Sequence, residues 1–129
     1  MALDLSNLDD DVLAFLAERH LATLTTLRAD GSPHVVPVGF GYDPGERVAR
    51  VITFDSSQKV RNVGDGGPAV LAQVDGGRWL SLEGQARVVS DPEGVARAVE
   101  AYGARYGQPG ENASRVAIEV SVTRMMGHG

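Results

Sequence analysis

The chain has 129 residues, of which 43% are hydrophobic and 22% charged, and its formal net charge is −5. That length fits one domain, 1–129, with a core of its own, and the acidic balance argues against non-specific nucleic-acid binding, which needs a basic face. The chain has no cysteine, so disulfides, thiolate metal sites and a cysteine nucleophile are excluded. No apolar run is long enough to span a membrane. The opening Met1-Ala2-Leu3-Asp4-Leu5 lacks the basic start and apolar stretch of a signal peptide. Together these features predict a cytoplasmic protein.

Ser6 and Asn7 offer N-caps ahead of Asp9, Asp10 and Asp11. Leu8, Val12, Phe15 and Leu16 recur at helical spacing, which predicts an amphipathic helix running to about Arg19. Residues 21–27, rich in Thr and Leu, read as a strand. Ala29-Asp30-Gly31-Ser32 is a turn, and a second strand is expected over 34–42. Asp43-Pro44-Gly45-Glu46 turns again. Residues 47–54 form a third strand, which runs into a short helix opened by Ser56 and Ser57. Gly64-Asp65-Gly66-Gly67-Pro68 ends that helix. A fourth strand over 69–74 and a fifth over 78–89 flank Asp75-Gly76-Gly77. Asp91 followed by Pro92 marks a strong helix start, and Val95, Val99, Tyr102 and Tyr106 carry that helix to Gly107. Val116, Ile118, Val120 and Val122 alternate with Arg115, Ala117, Glu119 and Ser121 as a sixth strand. Met125 to Gly129 read as a short, loose tail. Six strands with hairpin-like links predict a mainly β (α+β) fold, an antiparallel barrel with flanking helices.

No Gly-x-Gly-x-x-Gly follows a strand, and no Walker loop is present, so neither nucleotide fingerprint is available. His20, His34 and His128 show no metal-ligand spacing and no Ser-His-Asp arrangement. Each is read as structural, and no catalytic side chain or metal is expected. The stretch from Arg50 to Asn62 is the most suggestive. An incipient helix with hydroxyls, beside Arg50, Lys59 and Arg61, suits a phosphate or carboxylate. The alternative is that Ser56 or Ser57 merely caps the helix and that the cations are solvated. Trp79, the only tryptophan, is either a core or interface residue or a flat wall for a planar ring. Pro37, inside an apolar strand, marks an edge or bulge where a ring can approach the backbone. Together they sketch a slot for a phosphorylated aromatic cofactor.

Nearly the whole chain resembles the split β-barrel flavin/deazaflavin oxidoreductases, the pyridoxamine 5′-phosphate oxidase superfamily, and within it the B group of F420-dependent enzymes that includes biliverdin reductases. The resemblance is carried by Phe15-Leu16-Ala17-Glu18-Arg19-His20-Leu21-Ala22-Thr23-Leu24-Thr25-Thr26-Leu27-Arg28, by Ser32-Pro33-His34-Val35-Val36, and by Ala49-Arg50-Val51-Ile52-Thr53. Ser57-Gln58-Lys59 and Arg78-Trp79-Leu80-Ser81-Leu82-Glu83-Gly84 continue it. It implies a six-stranded split β-barrel that is homodimeric, with cofactor sites at the subunit interface. The implied cofactor is coenzyme F420, with FMN as the alternative. Its phosphate would lie against Lys59, with Ser57, Gln58 and Arg61 nearby and Arg50 as a further cation. The ring would run along Val36, Pro37 and Val38, opposite Val51, Ile52 and Thr53, with Trp79 and Ser81 reaching toward it.

The implied activity is hydride transfer from reduced deazaflavin to a conjugated small molecule, in the bilin case biliverdin to bilirubin. Arg28, Arg78 and Arg87 are all open as partners for substrate carboxylates. The competing readings are an FMN-binding oxidoreductase of the same fold and a non-enzymatic protein that binds the cofactor or a haem-related molecule.

Overall fold

The computed structural model describes residues 2–129, so Met1, where the reading of the chain's start begins, lies outside it. Among the described residues the elements run α1 (Asp10–Ala17), β1 (Ala22–Leu27), β2 (Pro33–Val38), β3 (Phe40–Asp43), β4 (Val48–Phe54), α2 (Gln58–Val63), β5 (Gly67–Asp75), β6 (Arg78–Val89), α3 (Pro92–Tyr106) and β7 (Arg115–His128). The strands form one antiparallel sheet in the order β2-β1-β5-β6-β7-β4-β3.

This corrects the expected six-stranded antiparallel split β-barrel. The sheet has seven strands, and its ladder stays open, with β2 and β3 as its two edges. The single strand expected over 34–42 is two strands that break at Gly39. A side chain there would force the α3 rings to move: a Cβ on Gly39 would lie 2.9 Å from the Tyr106 ring and 3.0 Å from that of Tyr102. Both tyrosines sit on α3, and the chain crosses beneath them from one sheet edge to the other. The amide just past the break does not enter a ladder. Phe40 N–H donates to Tyr106 Oη at 3.2 Å, and that hydroxyl donates to His20 O at 2.6 Å. Side-chain bonds therefore satisfy the backbone where strand pairing stops.

The expected loose tail is likewise corrected. Residues 125–128 continue β7, which pairs with β6 through Leu82↔Met125 and Trp79↔His128, and Met125 is fully buried. A bulge at Glu83/Gly84 shifts the register so that the strand can run on.

Asp9 rather than Ser6 or Asn7 caps α1, accepting from Val12 N at 2.9 Å. The helix stops at Ala17, short of Arg19. Arg105, from α3, takes the carbonyls near that end: its Nε donates to Glu18 O at 2.6 Å and its Nη2 to Phe15 O at 3.4 Å. The same guanidinium reaches Phe40 O and Gln73 Oε1 at 2.8 and 2.7 Å, so one buried cation ties α1, β3 and β5 to α3. Asp91 caps α3 as expected, accepting from Gly94 N at 2.9 Å.

The inward face of the sheet carries the core, including Leu24, Leu71, Leu80, Leu82 and Ile118, against Phe15 and Leu16 of α1 and Val63 of α2. On the outward face, α3 covers the β3–β4–β7 section, where Ile52 packs on Val89, Ala98 and Ala117. Among the described residues no helix packs on the outward face of β2, β1 and β5, or of β6 away from its Val89 end. No helix of the described residues is long and apolar enough to cross a membrane.

Candidate functional site

The turn between β4 and α2 builds the most distinctive polar arrangement. Ser57 has extended backbone angles, φ −71° and ψ 153°, as an N-cap should, yet its hydroxyl bonds to no helix amide. It accepts from Thr53 Oγ1 at 3.2 Å. Thr53 is itself buried on β4, so the Ser57 hydroxyl is held from the sheet rather than spent on capping. Two further bonds fix α2. Asn62 Nδ2 donates to Thr26 Oγ1 of β1 at 3.0 Å, and Gln58 Nε2 donates to Asn62 Oδ1 at 2.7 Å. Arg61 folds back to Ser56 O at 2.6 Å and to Gln58 Oε1 at 2.7 Å, both neutral acceptors.

Lys59, the only lysine of the chain, is half-buried in this turn. Burial holds its pKa below the ordinary 10.5, and no neighbouring carboxylate offsets the effect. A partly desolvated ammonium is favoured when an anion completes it.

The other candidate residues lie in three further settings. Val36, Val38 and Val51 face the core. Pro37 lies on the outward face, in a cross-strand row with Thr23, Ala72, Ser81 and Met126. Trp79 is two residues from Ser81 on the same face, 42% exposed, with His128 edge-on to its ring at 6.4 Å. Arg50 and Ile52 also point outward, but beneath α3. Arg50 is buried and bonded to Glu119 Oε2 at 3.2 Å and Glu46 Oε2 at 3.1 Å, with Asp43 at 3.6 Å. Its charge is matched by three carboxylates, whereas Lys59 has no carboxylate partner among the described residues. The structure thus brings Thr53, Ser57, Gln58, Lys59 and Arg61 together, groups Pro37, Trp79 and Ser81 on the bare outward face, and sets Arg50 and Ile52 apart.

Two depressions accompany these residues. A cleft of about 520 Å³ lies between α1, α3 and the β3–β4 turn, lined by Leu16, Tyr42, Glu46, Arg50, Arg97 and Ala101 among others, and it does not include Lys59. A shallower one of about 250 Å³ lies on the bare face, lined by Leu21, Thr23, Pro37, Ala72 and Val74 among others.

Of the arginines open as carboxylate partners, Arg78 is bonded to Glu18 and Asp75, and Arg87 to Glu119. Arg28 bonds only neutral oxygens, of Pro33 and Ser32. The Thr26–Asn62 tether is absent from the sequence reading. Its one local signal is the four-residue spacing of Gln58 and Asn62 on a helix. No group of acidic and histidine side chains among the described residues is arranged to hold a metal.

Comparison with known proteins agrees with this frame. The model of the pyridoxamine 5′-phosphate oxidase family matches residues 8–129. The chain is 58% identical over 122 residues to the F420H2-dependent biliverdin reductase of Mycobacterium tuberculosis, which covers 95% of this chain and 89% of that protein. Among solved structures, an F420 reductase superposes with a TM-score of 0.71 at 27% identity, covering 88% of this chain and 94% of that one. A conserved hypothetical protein of Mycobacterium tuberculosis superposes with a TM-score of 0.79 at 22% identity, covering 95% of this chain and 85% of that one, and so shares the fold. The chain belongs to the pyridoxamine 5′-phosphate oxidase family.

Proposed function

We propose that this protein is an F420H2-dependent reductase acting on a conjugated acceptor of the biliverdin type. The observation that carries the reading is the 58% identity, across 95% of the chain, to an F420H2-dependent biliverdin reductase. The Lys59 turn supports it independently. A half-buried cation with no carboxylate partner among the described residues, beside a pre-oriented Ser57 hydroxyl, fits a cofactor phosphate. When bound, the reduced deazaflavin supplies the hydride. The chain's own part is to hold and orient: Lys59 neutralises the phosphate, Thr53 aims the Ser57 hydroxyl at it, and Arg61, braced by Ser56 and Gln58, adds a second positive charge. Arg28, hydrogen-bonded to no carboxylate though Asp30 lies near it, is available to a substrate carboxylate. The reading needs no acidic side chain of the protein, since water can deliver the proton.

The reading includes a homodimer with the ring lodged at its interface. Leu21, Val35, Val74 and Trp79 are 66%, 56%, 69% and 42% exposed, and all belong to the section that no helix covers. A second copy would bury them and enclose a ring lying over Pro37 and Ser81. The protein acts, on this reading, as one domain in the cytoplasm.

Titrating the protein with F420, and separately with FMN, tests the cofactor. Trp79 is the only tryptophan, so its fluorescence reports one place. Tight binding of F420 with weak binding of FMN supports the reading. A preference for FMN moves the protein to the flavin enzymes of this fold. Binding of neither removes the cofactor role.

A further inference from the structure

The face that no helix covers carries two opposite charges side by side. Glu83 of β6 and Arg124 of β7 are direct cross-strand partners. Both stand on the outward side: the flanking Leu82 and Met125 are fully buried, whereas Glu83 is half-buried and Arg124 exposed. Directly opposed residues hold their Cβ atoms about 5 Å apart, and opposite charges at that spacing stabilise a sheet by joining. These do not join. No ion pair or side-chain hydrogen bond connects them, and neither side chain has another such partner among the described residues. Thr123 Oγ1, in the bulge beside them, donates to the Glu83 backbone carbonyl at 3.4 Å and not to its carboxylate. On the other flank of β7, Ala2 bridges Met126 and Leu3 N–H donates to Met125 O at 2.7 Å, which leads Asp4 toward Arg124. The Asp4 carboxylate instead accepts from Ser6 N and Ser6 Oγ at 3.0 and 2.6 Å.

The pair closes a cross-strand row, Val35–Thr25–Val70–Glu83–Arg124, that runs beside the row from Pro37 to Met126. Val35 at its far end is exposed, as are Val74 and Trp79 on the same face. A second copy seated there would take water from both charged groups, and an unpaired charge under such cover is costly. A two-fold interface sets one patch against itself, so that residue i meets j and j meets i. A cation beside an anion is then its own complement. We infer that two copies exchange this pair: Glu83 of each subunit bonds Arg124 of the other, with the two-fold axis passing beside the β6–β7 bulge. The exchange rests on the homodimer reading above and gives that dimer its register.

Sedimentation of charge-reversed variants tests the exchange. Glu83→Lys sets cation against cation at both contacts of the dimer, and Arg124→Glu sets anion against anion, so each variant alone is expected to dimerise ~100-fold more weakly or worse. Mixed in equal amounts, the two variants are expected to form a dimer again, because every contact across the axis then joins a cation to an anion. A pair closed inside one chain has no such remedy, since it stays like-charged in the mixture. Failure of the mixture to recover the dimer, or an undiminished dimer of either folded variant alone, overturns the inference and leaves the homodimer standing. A wild-type protein that sediments as a monomer sinks the homodimer reading and the inference with it. Should a reversed variant not fold, Arg124→Lys decides. A carbodiimide can couple its new amine to the Glu83 carboxylate as an amide. A covalent dimer linked between positions 83 and 124 is expected, and coupling confined to single chains, or none, overturns the inference.

Discussion

Val38 and Phe40 are separated by one residue in the chain and lie on opposite edges of the sheet. Gly39 makes the crossing possible because it leaves room for the tilted pair of rings of Tyr102 and Tyr106. Gly39→Ala is therefore expected to destabilise the fold by about 1–3 kcal/mol, the usual cost of overfilling a packed site. A urea melt with an unchanged slope and a lowered midpoint would show it. An unchanged midpoint would mean that α3 yields freely at this point.

Lys59→Ala should weaken F420 by about 1.5–3 kcal/mol, the size of a charged hydrogen bond, with the fold intact. The pH dependence has a definite sign. Burial lowers the Lys59 pKa from 10.5 in the folded protein. The unfolded chain therefore holds that proton more tightly, and Lys59 costs stability at all pH values below its folded pKa. The cost fades as pH rises from the lowered pKa toward 10.5, so stability from this group increases over that alkaline window. Cofactor affinity runs the other way, because a neutral amine does not hold a phosphate. F420 titrations across the alkaline range should show affinity falling in the wild type and remaining flat in Lys59→Ala.

Arg50 is expected to matter for stability. Glu119, 4% exposed, is shared between Arg50 and the exposed Arg87 at 3.2 and 2.6 Å. Arg50→Met leaves that buried carboxylate with one solvent-facing partner. The expected loss is about 2–3 kcal/mol, below the range for a wholly buried pair because Arg87 remains. Denaturant unfolding measures the loss, and F420 affinity of the folded fraction should stay within about twofold, well under one hydrogen bond.

Val74 is 69% exposed on the bare face, so a charge there does not disturb a lone subunit. Val74→Glu is expected to shift sedimentation from dimer to monomer, with unchanged circular dichroism and weakened cofactor binding. A wild-type protein that sediments as a monomer with F420 bound would contradict the interface reading.

Local signals in the sequence were enough for the elements whose partners are near in the chain. Asp91-Pro92 opens a helix, and Asp75-Gly76-Gly77 turns β5 into β6, because caps and turns are settled within a few residues. Long-range pairings were not legible. A glycine inside an apolar run does not reveal that Tyr106, 66 residues on from Phe40, will receive the next amide. Arg50 reads as a free cation until Glu119, 69 residues later, is seen beside it. Gly127 and His128 look like a loose end, since only the bulge at Gly84 brings them into register with β6. The Ser57–Lys59–Arg61 cluster was legible because it is confined to one turn.

The most direct test of the central claim is anaerobic turnover with biliverdin and either reduced F420 or reduced FMN. The account predicts that bilirubin forms with reduced F420, that oxidised deazaflavin appears in equal amount, and that reduced FMN supports little reaction. Tight F420 binding with no oxidation of the cofactor by biliverdin or other conjugated acceptors would contradict it, leaving a protein that binds the cofactor without using it.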